Sequence, residues 1–478
     1  MVLPAQCVQV IVVGAGLSGL QAATNLHNAG YTYTVVEAMD RVGGKILSLP
    51  SSDNGTGIVD AGAAWINDNS QSYMYNLAKD FGFDLVKQRA EGTSIFQKDK
   101  GDISLIPYQL PFDFEPQEIF DLLLLVGKLS RYVDRSNLQN PHLGPDAKEL
   151  DSMTVLQLVS KITALPTAKS AAGILTRALL GVEPDELSAL YFVDYLKSGT
   201  GLWNIISDEK GGGQYLRNQQ GNQQFPIRLA AKLTPGSIKL QSPVKSITQF
   251  NDHCVVETDK GDKLCAKKVI SSVSTTLLPL IKFEPPLPQE KRQLIESTKL
   301  GSYSKTILIF SEPWWRRAEL SGDFTSTKGP ISFTRDTSTD KTNQFSITCF
   351  HVGQSGRQWS KLDPKQRQEA TLAHFQKGFR AAVDHVPEPI KIIEKVWEEE
   401  PWIKGAPNPV MMPGLMTSKA GQSIRDSFGN IHFVGTETSF DWKGYMEGAV
   451  RSGVRGAQEV INSLAATNVT VSAGYISN

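Results

Sequence analysis

Residues Val10–Lys45 read VIVVGAGLSGLQAATNLHNAGYTYTVVEAMDRVGGK, and this stretch decides the fold. The apolar, β-branched run Val8–Val13, which overlaps the start of this stretch, predicts a buried parallel strand. The strand runs directly into Gly14-Ala15-Gly16-Leu17-Ser18-Gly19, a G-x-G-x-x-G turn. A helix is predicted over Leu17–Ala29 and a second strand over Tyr33–Val36. Strand, glycine turn, helix and strand in this order are typical of a dinucleotide-binding unit.

Each part of the turn has a physical role in that interpretation. Gly14 permits the tight turn, Gly16 lets backbone N–H groups approach a pyrophosphate, and Gly19 lets the helix pack closely on the strand. The helix N-terminus adds partial positive charge for the pyrophosphate. Glu37 follows about 20 residues after the turn, where a carboxylate accepts hydrogen bonds from a ribose. The alternative is a glycine turn with only a structural role.

The residues that follow separate one dinucleotide from another. Glu37-Ala38-Met39-Asp40-Arg41-Val42-Gly43-Gly44-Lys45 resembles the E-A-x-x-R-x-G-G-R segment of the flavin amine oxidase superfamily. In that family the arginine and the paired glycines lie along the diphosphate of FAD, which implies this role for Arg41, Gly43 and Gly44. Lys45 stands where the family usually has arginine, so the charge is kept and the bidentate fork is lost.

The resemblance implies an α/β fold with a Rossmann-like (glutathione-reductase-type) FAD-binding domain and an inserted α+β substrate domain. A chain of 478 residues is long enough for two or more domains. The predicted boundaries give residues 1–80, 212–290 and 395–465 to the FAD-binding domain, 81–211 and 291–394 to the substrate domain, and 466–478 to a C-terminal tail.

Bulk composition excludes several classes of function. Lys plus Arg and Asp plus Glu both number 49, so zero net charge gives no support for nucleic-acid or general anionic-membrane binding. No apolar run is long enough to span a bilayer, and we expect neither a signal peptide before the first strand nor a membrane anchor in the tail. Seven histidines without metal-type spacing argue against a metal site. A cytoplasmic enzyme is expected.

The four cysteines, Cys7, Cys254, Cys265 and Cys349, show no C-x-x-C spacing. Cys254 and Cys265 flank a predicted hairpin turn, so one interpretation has them facing each other across two strands. The favoured interpretation is that they are reduced, as in a cytosolic sheet. The glycosylation-type sequences at Asn54 and Asn468 are treated as chance matches.

Helices are predicted where apolar residues recur at helical spacing. The predicted helices are Ser72–Phe81, Glu118–Arg131, Thr154–Lys161, Ala168–Leu180 and Glu186–Leu196. Asp185 is the predicted N-cap of the last one. Alternating residues predict hairpin strands over Lys239–Asp259 and Lys263–Ser272.

Two internal segments extend the resemblance. Val59-Asp60-Ala61-Gly62-Ala63-Ala64-Trp65 is similar to the family's D-x-G-x-x-W/Y segment, which implies that Ala63, Ala64 and Trp65 pass close to the flavin ring. A buried strand end is the alternative. Pro243-Val244 is similar to the strand whose valine backbone meets the adenine, which implies that role for Val244.

Two polar residues are candidates for catalysis. Gly211-Gly212-Gly213-Gln214 resembles the segment whose glutamine lies beside the substrate; the alternative is a surface glutamine. Leu300–Phe310 resembles the strand whose lysine holds a water near flavin N5, which implies that role for Lys305. A lysine in such a strand is costly to bury without partners; the alternative is that it extends to solvent.

The C-terminal part is very similar to monoamine oxidases. Ile431–Ser439 predicts a strand that runs into a turn, and Trp442–Val450 opens the final helix, whose N-terminus can stabilise the charge of a reduced flavin. The implied FAD contacts here are Gly435, Thr436, Glu437, Tyr445, Met446 and Ala449, with Ser18 added at the first turn.

Departures from the family lie in the Trp397–Pro407 segment. Trp397 and Ala406 match positions at the flavin, and Tyr445 matches one of two aromatic residues that face the substrate. Pro407 stands where the other ring is usual, so either the aromatic pair is incomplete, or Trp402 or another ring completes it. Animal monoamine oxidases attach FAD through a cysteine where this chain has Ala406, so non-covalent FAD is expected.

The predicted activity is FAD-dependent oxidative deamination of an amine to an imine, then an aldehyde or ketone and ammonia, with O2 reduced to H2O2. Lys305, Gln214 and Tyr445 are the expected catalytic residues, a small-molecule amine and O2 the partners, and a homodimer one expectation for assembly. Alternatives are a flavin oxidase of polyamines, of a biosynthetic intermediate or of L-amino acids, with Arg89 or Arg177 holding the carboxylate, or a catalytically silent flavin-binding protein.

Overall fold

A computed structural model describes residues 7–53, 55, 57–108 and 115–473, with side chains as far as residue 466. Asn54, the side chain of Asn468 and the end of the predicted tail lie outside the described residues.

The strands are numbered in chain order. They are β1 (Val8–Val13), β2 (Tyr33–Val36), β3 (Ser48–Pro50), β4 (Ile58–Asp60), β5 (Leu85–Lys87), β6 (Thr93–Gln97), β7 (Ile103–Pro107), β8 (Leu216–Asn218), β9 (Ile238–Lys239), β10 (Val244–Gln249), β11 (Cys254–Thr258), β12 (Lys263–Ser271), β13 (Lys282–Glu284), β14 (Thr298–Leu300), β15 (Tyr303–Phe310), β16 (Leu320–Ser326), β17 (Phe333–Asp336), β18 (Phe345–Val352), β19 (Lys391–Lys395), β20 (Pro409–Met411) and β21 (Ile431–Phe433).

The α-helices are numbered in the same way. They are α1 (Leu17–Asn28), α2 (Ser72–Asp80), α3 (Pro116–Arg135), α4 (Ala147–Asp151), α5 (Val155–Ile162), α6 (Pro166–Leu180), α7 (Ala189–Ser198), α8 (Leu202–Ile206), α9 (Gln224–Ala231), α10 (Gln289–Glu296), α11 (Trp314–Arg317), α12 (Gly353–Trp359), α13 (Pro364–Phe379), α14 (Lys419–Gln422) and α15 (Met446–Ala473).

The chain divides into two compact units, each made of discontinuous segments. Unit 1 comprises Met1–Gly44, Gln223–Ser297 and Ser418–Asn478, and unit 2 comprises Lys45–Asn222 and Thr298–Thr417. These divisions differ from the predicted ones because residues 45–80, 212–222 and 395–417 group with unit 2, and residues 291–297 group with unit 1. Backbone helix also continues through Ala473, into the segment predicted to be a tail.

Unit 1 is built on an eight-stranded sheet in the order β13-β10-β11-β12-β1-β2-β9, with β21 also paired to β12. β1 lies parallel between β2 and β12, with Val12 opposite Val35 on one side and Ile270 on the other. Burial on both faces explains why β1 is a continuous apolar run. Helix α1 packs on α15 beside this sheet, so the predicted first strand, helix and second strand are confirmed.

Unit 2 holds a four-stranded antiparallel sheet in the order β17-β18-β15-β19 and a three-stranded sheet in the order β16-β6-β7. An aromatic cluster that includes Trp315, Phe324 and Phe375 fills the space beside them, with α13 contributing one side. The four predicted helices between residues 118 and 196 are present as α3, α5, α6 and α7, with ends that differ by a few residues, and the short helix α4 was not predicted.

The prediction that Cys265 is reduced was wrong, and so was the alternative that it faces and pairs with Cys254. Cys7 and Cys265 form a disulfide with a Cα–Cα distance of 4.6 Å, while Cys254 and Cys349 are free and buried. Cys7 precedes Val8, which pairs with Ala266, so the parallel register places Cys7 beside Cys265. Cys254 pairs with Ala266 instead, which points its side chain to the other face of the sheet from Cys265.

The predicted cap of α7 was also wrong. Ser188, and not Asp185, is the N-cap, and its hydroxyl accepts from the backbone N–H groups of Leu190 and Tyr191. The helix therefore begins three residues later than expected, at Ala189. Both residues are good caps, and the sequence alone did not distinguish them.

None of the described helices has the length and apolarity that crossing a membrane needs. Among the same residues, no group of three or more His, Cys, Asp or Glu side chains is placed to hold a metal ion.

Candidate active site

The glycine turn of unit 1 has the geometry that the sequence predicts. Gly14 has φ +99°, and an added Cβ there would lie 2.4 Å from Ser272 Oγ. A Cβ on Gly19 would lie 2.0 Å from the carbonyl oxygen of Gly14, so this glycine is needed for packing. A Cβ on Gly16 would meet nothing within 4 Å. The turn therefore has open space at the glycine that is predicted to face a diphosphate.

Glu37 closes the loop after β2 against this turn. Its Oε2 accepts from the backbone N–H of Ala15 at 2.6 Å, and its Oε1 accepts from that of Met39 at 2.8 Å. Burial raises the pKa of Glu37 against the lowering effect of those N–H bonds. Each oxygen keeps acceptor capacity beyond its backbone bond, so a ribose hydroxyl remains a chemically suitable further donor.

The loop with the paired glycines packs on the same turn. Gly43 donates its N–H to the carbonyl of Ala15 at 2.9 Å, and a Cβ on Gly44 would lie 3.5 Å from the Cα of Gly16. Arg41 Nη2 donates to the Gly44 carbonyl at 2.9 Å, which holds this loop. Ala38 is half-buried in the segment that leads to it.

Two other predicted cofactor residues of unit 1 have structural partners. Ser18 is buried, and its Oγ accepts from Ser452 Oγ at 3.2 Å, where α1 and α15 pack. Val244 begins β10, and just before it the N–H of Ser242 donates to the carbonyl of Glu37 at 2.7 Å. Their roles toward FAD stay predictions.

The segment before α15 folds into a tight, hydrogen-bonded turn. Gly435 has φ +136°, and its N–H donates to Ser452 Oγ at 3.1 Å. Glu437 is buried and accepts from the N–H of Thr275 at 3.0 Å. Thr436 Oγ1 donates to the carbonyl of Tyr445 at 2.8 Å, which fixes the start of the helix.

Tyr445 precedes the first helical residue, Met446, and its ring packs edge-on against Trp442 at a centroid distance of 5.0 Å. Met446 is buried and Ala449 is half-buried in the first turn. The structure thus places Tyr445 in unit 1, whereas Lys305 and Gln214 belong to unit 2.

Lys305 is the centre of the candidate site in unit 2. Only 4% of it is exposed, and its Nζ donates to the carbonyls of Gly62 at 2.6 Å and Asp60 at 3.1 Å. The same Nζ lies 5.2 Å from the ring centroid of Phe350 and 5.7 Å from that of Trp65. The alternative of a solvent-directed lysine is excluded by these contacts.

The charges around Lys305 are shifted by burial. Burial lowers the pKa of Lys305 to about 8, and the nearby Asp60 carboxylate partly opposes this shift. Burial raises the pKa of Asp60 to about 6, although Ser48 and the N–H of Asn222 both donate to its Oδ1. Asp60 was not singled out by sequence analysis, although it lies in the quoted D-x-G-x-x-W segment.

The Asp60–Trp65 segment connects most of the predicted residues of unit 2. Ala63 donates its N–H to the carbonyl of Lys45 at 3.2 Å, and Ala64 is buried beside it. Trp397 Nε1 donates to the carbonyl of Ala61 at 3.2 Å. Trp65 Nε1 donates to Gln88 Oε1 at 3.0 Å, and its ring stacks on Phe350.

The Trp397–Pro407 segment, which departs from the family, is hydrogen-bonded to Lys45 and Gly301 of unit 2. Lys45 Nζ donates to the carbonyl of Pro407 at 2.9 Å, so this lysine has a protein partner in the place of the family's arginine. Ala406 is buried, and its N–H donates to the carbonyl of Gly301 at 3.1 Å. Trp402, proposed as a substitute ring, is 38% exposed.

Gln214 follows α8 and is partly buried. Its Nε2 donates to the carbonyl of Ile205 at 3.0 Å, while its Oε1 is buried without a hydrogen-bond partner among the described residues. An acceptor oxygen of this kind is suited to a water or a substrate N–H. The alternative of a flexible surface glutamine does not fit this burial.

The comparisons with known proteins agree with this geometry. The family sequence model described as "Flavin containing amine oxidoreductase" matches residues 17–461. A "Probable flavin-containing monoamine oxidase A" of Dictyostelium discoideum is 30% identical over 463 residues, covering 95% of this chain and 98% of the relative.

The chain belongs to this family. The flavin-containing amine oxidase B of Homo sapiens is 31% identical over 95% of this chain and 86% of its own length. The structure of cyclohexylamine oxidase from Brevibacterium oxydans is 27% identical with a TM-score of 0.86, covering 96% of this chain and 100% of that one. Putrescine oxidase, at 24% identity and a TM-score of 0.88, shows the same fold.

Membership settles the coarse prediction of cofactor and activity. The protein is an FAD-dependent amine oxidase with a mixed α/β fold, and it carries out oxidative deamination of amines with O2. The residues present fit FAD, because the Gly16 turn has open space and the helix N-terminus follows it directly.

Proposed function

We propose that the enzyme oxidises a small-molecule amine with Lys305, Gln214 and Tyr445 as its catalytic residues and with FAD held non-covalently. The single observation that carries the proposal is the position of Lys305. A buried amine held by two backbone carbonyls, near two stacked aromatic rings, is a costly arrangement that fold stability alone does not require.

The proposed roles follow from the side chains themselves. FAD, when bound, supplies the acceptor for the two electrons that leave the carbon next to nitrogen. Two N–H donors of Lys305 bind the carbonyls of Asp60 and Gly62. The third hydrogen of its ammonium form is proposed to orient a water. Gln214 offers its buried Oε1 to a substrate N–H, and Tyr445 presents an aromatic ring to the substrate.

FAD diphosphate binding is assigned to the Gly14–Gly19 turn and to Arg41, Gly43 and Gly44. Glu37 is proposed to hold the ribose, and Val244 the adenine. Ala63, Ala64, Trp65, Trp397 and Ala406, together with Gly435, Thr436, Glu437, Met446 and Ala449, are proposed to surround the flavin. Lys45 and Ser18 contribute through the segments that they hold.

Non-covalent FAD is proposed because the chain has Ala406 where a thiol would be needed. Cys254 and Cys349 are buried in β-strands, and the other two cysteines form the disulfide. Acid precipitation of the purified protein is expected to leave a colourless pellet and a yellow supernatant. A pellet that stays yellow after washing would show a covalent bond.

The test of the proposed function is a panel of primary amines, followed by bleaching of flavin absorbance without oxygen and by H2O2 release with oxygen. Lys305→Met is expected to slow turnover about tenfold or more while FAD stays bound. Lys299→Met is the matched control, because Lys299 is a partly exposed lysine of unit 2 that pairs with Glu186. Equal rates for both variants and the wild type would remove Lys305 from the mechanism.

We also propose that the enzyme is cytoplasmic and that it forms a homodimer. Cell fractionation and measurement of the native mass test these two proposals separately.

A further inference from the structure

Gln88 is a buried polar residue that joins Trp65 to a neighbouring strand. It follows β5 directly and is 5% exposed. Its Oε1 accepts from Trp65 Nε1 at 3.0 Å, and its Nε2 donates to the carbonyl of Asp336, the last residue of β17, at 2.8 Å. An indole N–H can only donate and a carbonyl can only accept, so one orientation of the carboxamide satisfies both partners. A glutamine therefore fits this position by its chemistry as well as by its length.

The side chain of Gln88 is not needed to end β5. The backbone N–H of Gln88 donates to the carbonyl of Tyr215 at 2.7 Å, and β5 pairs with β8 through backbone groups. The hydrogen bonds of the carboxamide are therefore additional to the pairing of these strands. What they fix is the position of the Trp65 ring.

The Trp65 ring lies beside the ammonium of Lys305. It stacks on Phe350 with centroids 5.9 Å apart, and Phe350 stacks in turn on Phe333 at 4.3 Å. Lys305 Nζ lies 5.7 Å from the Trp65 centroid, within the range in which an aromatic face attracts a cation. Rotation of the Trp65 side chain would therefore change the surroundings of Lys305 while leaving the two backbone carbonyls that bind Nζ in place.

Stacking alone does not fix the Trp65 ring. Aromatic pairs tolerate a range of offsets and tilts, whereas a hydrogen bond at 3.0 Å sets the direction of the indole N–H. Among the described residues, no hydrogen bond joins Gln88 to Lys305 itself. An effect of Gln88 on the amine-oxidising site therefore passes through Trp65.

We propose that Gln88 is a positioning residue of the oxidation, which holds the Trp65 ring against Phe350 and beside Lys305 through the indole N–H. This role rests on the proposed function, because Lys305 is the residue on which Gln88 acts. Without the carboxamide, the ammonium of Lys305 loses one of the two rings beside it, and the water that it is proposed to orient is held less firmly. Oxidation then slows at saturating amine, while KM changes little.

The kinetic test is a double-mutant cycle. Gln88→Met removes both carboxamide hydrogen bonds at similar length, and Trp65→Phe keeps a ring and removes the indole N–H. Flavin bleaching without oxygen is measured per bound flavin at saturating amine, and each single variant is expected to be about fivefold slower than the wild type, the size of one hydrogen bond. The double variant is expected to be no slower than Trp65→Phe, because Gln88 has then lost the group through which it acts.

Gln97→Met is the matched control. Gln97 is a buried glutamine of the same unit, and its Oε1 accepts from Ser326 Oγ at 2.8 Å and from His374 Nε2 at 3.0 Å. Loss of these hydrogen bonds is expected to lower stability and to leave the bleaching rate per bound flavin unchanged.

A spectroscopic measurement detects the hydrogen bond without turnover. The indole N–H resonances of the eight tryptophans are recorded by NMR on the isotope-labelled, flavin-loaded enzyme, and the Trp65 resonance is identified by its absence in Trp65→Phe. This resonance is expected to move or broaden in Gln88→Met and to stay unchanged in Gln97→Met.

Each outcome decides the proposal. Additive losses in the double variant overturn it, since Gln88 would then act independently of Trp65. A wild-type rate in Trp65→Phe also overturns it, and this result is decisive even if Gln88→Met does not fold. The same holds for a Trp65 resonance that is unchanged in Gln88→Met. Failure of every amine to bleach the flavin of the wild type would instead refute the proposed function.

Discussion

Asp60 links the charge of the candidate site to stability. Its folded pKa of about 6 lies above the usual 3.8, so between these values the folded protein binds more protons than the unfolded chain. The free energy of unfolding therefore falls as pH rises through this window. Both hydrogen bonds to Asp60 end on Oδ1, so Asp60→Asn keeps the acceptor and removes the charge.

We expect Asp60→Asn to gain about 2–3 kcal/mol relative to the wild type between pH 4 and pH 7. Denaturant unfolding at several pH values measures this difference, with Asp84→Asn as the exposed control. Parallel stability curves for the wild type and Asp60→Asn would contradict the assignment of a buried, titrating Asp60.

Single residues differ in how well the sequence predicts them. The burial of Lys305 was predicted because the segment around it closely resembles a specific motif of the family. Its two carbonyl partners were not, since they depend on a segment about 240 residues away in the chain. The ion pairs of Arg335 with Asp323 and Asp208 were missed for the same reason, since these residues are separated in sequence and none belongs to a motif.

The turn between β1 and α1 makes a sharper test possible, because its glycines have different surroundings. Gly19→Ala places a Cβ against the Gly14 carbonyl and is expected to lower the free energy of unfolding by roughly 1–3 kcal/mol. Gly16→Ala meets open space at an ordinary φ of −71°, so flavin-free stability should stay within about 0.5 kcal/mol of the wild type.

The variant that is expected to keep its stability, Gly16→Ala, should instead lose affinity for FAD. Gly16→Ala is expected to weaken FAD binding about tenfold or more, because its methyl group fills the space assigned to the diphosphate. Flavin titration of the flavin-free protein measures this effect. Unchanged FAD affinity in Gly16→Ala would mean that the diphosphate does not approach this turn.

The disulfide gives a second prediction for the elements of unit 1. It joins residues 258 positions apart and ties the start of β1 to β12. Reduction is expected to lower the free energy of unfolding by about 2–4 kcal/mol in the wild type. The Cys7→Ser variant should have this lower stability even without reductant, and reductant should cause no further loss. If reductant still lowers the stability of Cys7→Ser, the effect in the wild type does not come from the Cys7–Cys265 disulfide.

Elements with strong local signals were predicted from the sequence, and pairings between distant elements were not. β1, α1 and β2 are specified by apolar runs and glycines within 30 residues. The disulfide depends on the register of β1 against β12, which no local pattern specifies. The start of α7 at Ala189 depended on which of two nearby caps the tertiary structure uses.

At the scale of the whole molecule, the predicted site residues are divided between the two units. Unit 1 contains the glycine turn and the helix that begins after Tyr445, and unit 2 contains Lys305 and Gln214. The order of the segments along the chain was predicted from the motifs. The division at Gly44 was not, since the motif around Arg41 continues without a break into Lys45.

The most direct measurement is the visible spectrum of the purified protein before and after an amine is added without oxygen. The account predicts a flavin spectrum with about one FAD for each chain, bleached by the amine and restored by oxygen with release of H2O2. A correctly folded protein that is colourless and takes up no flavin would contradict it.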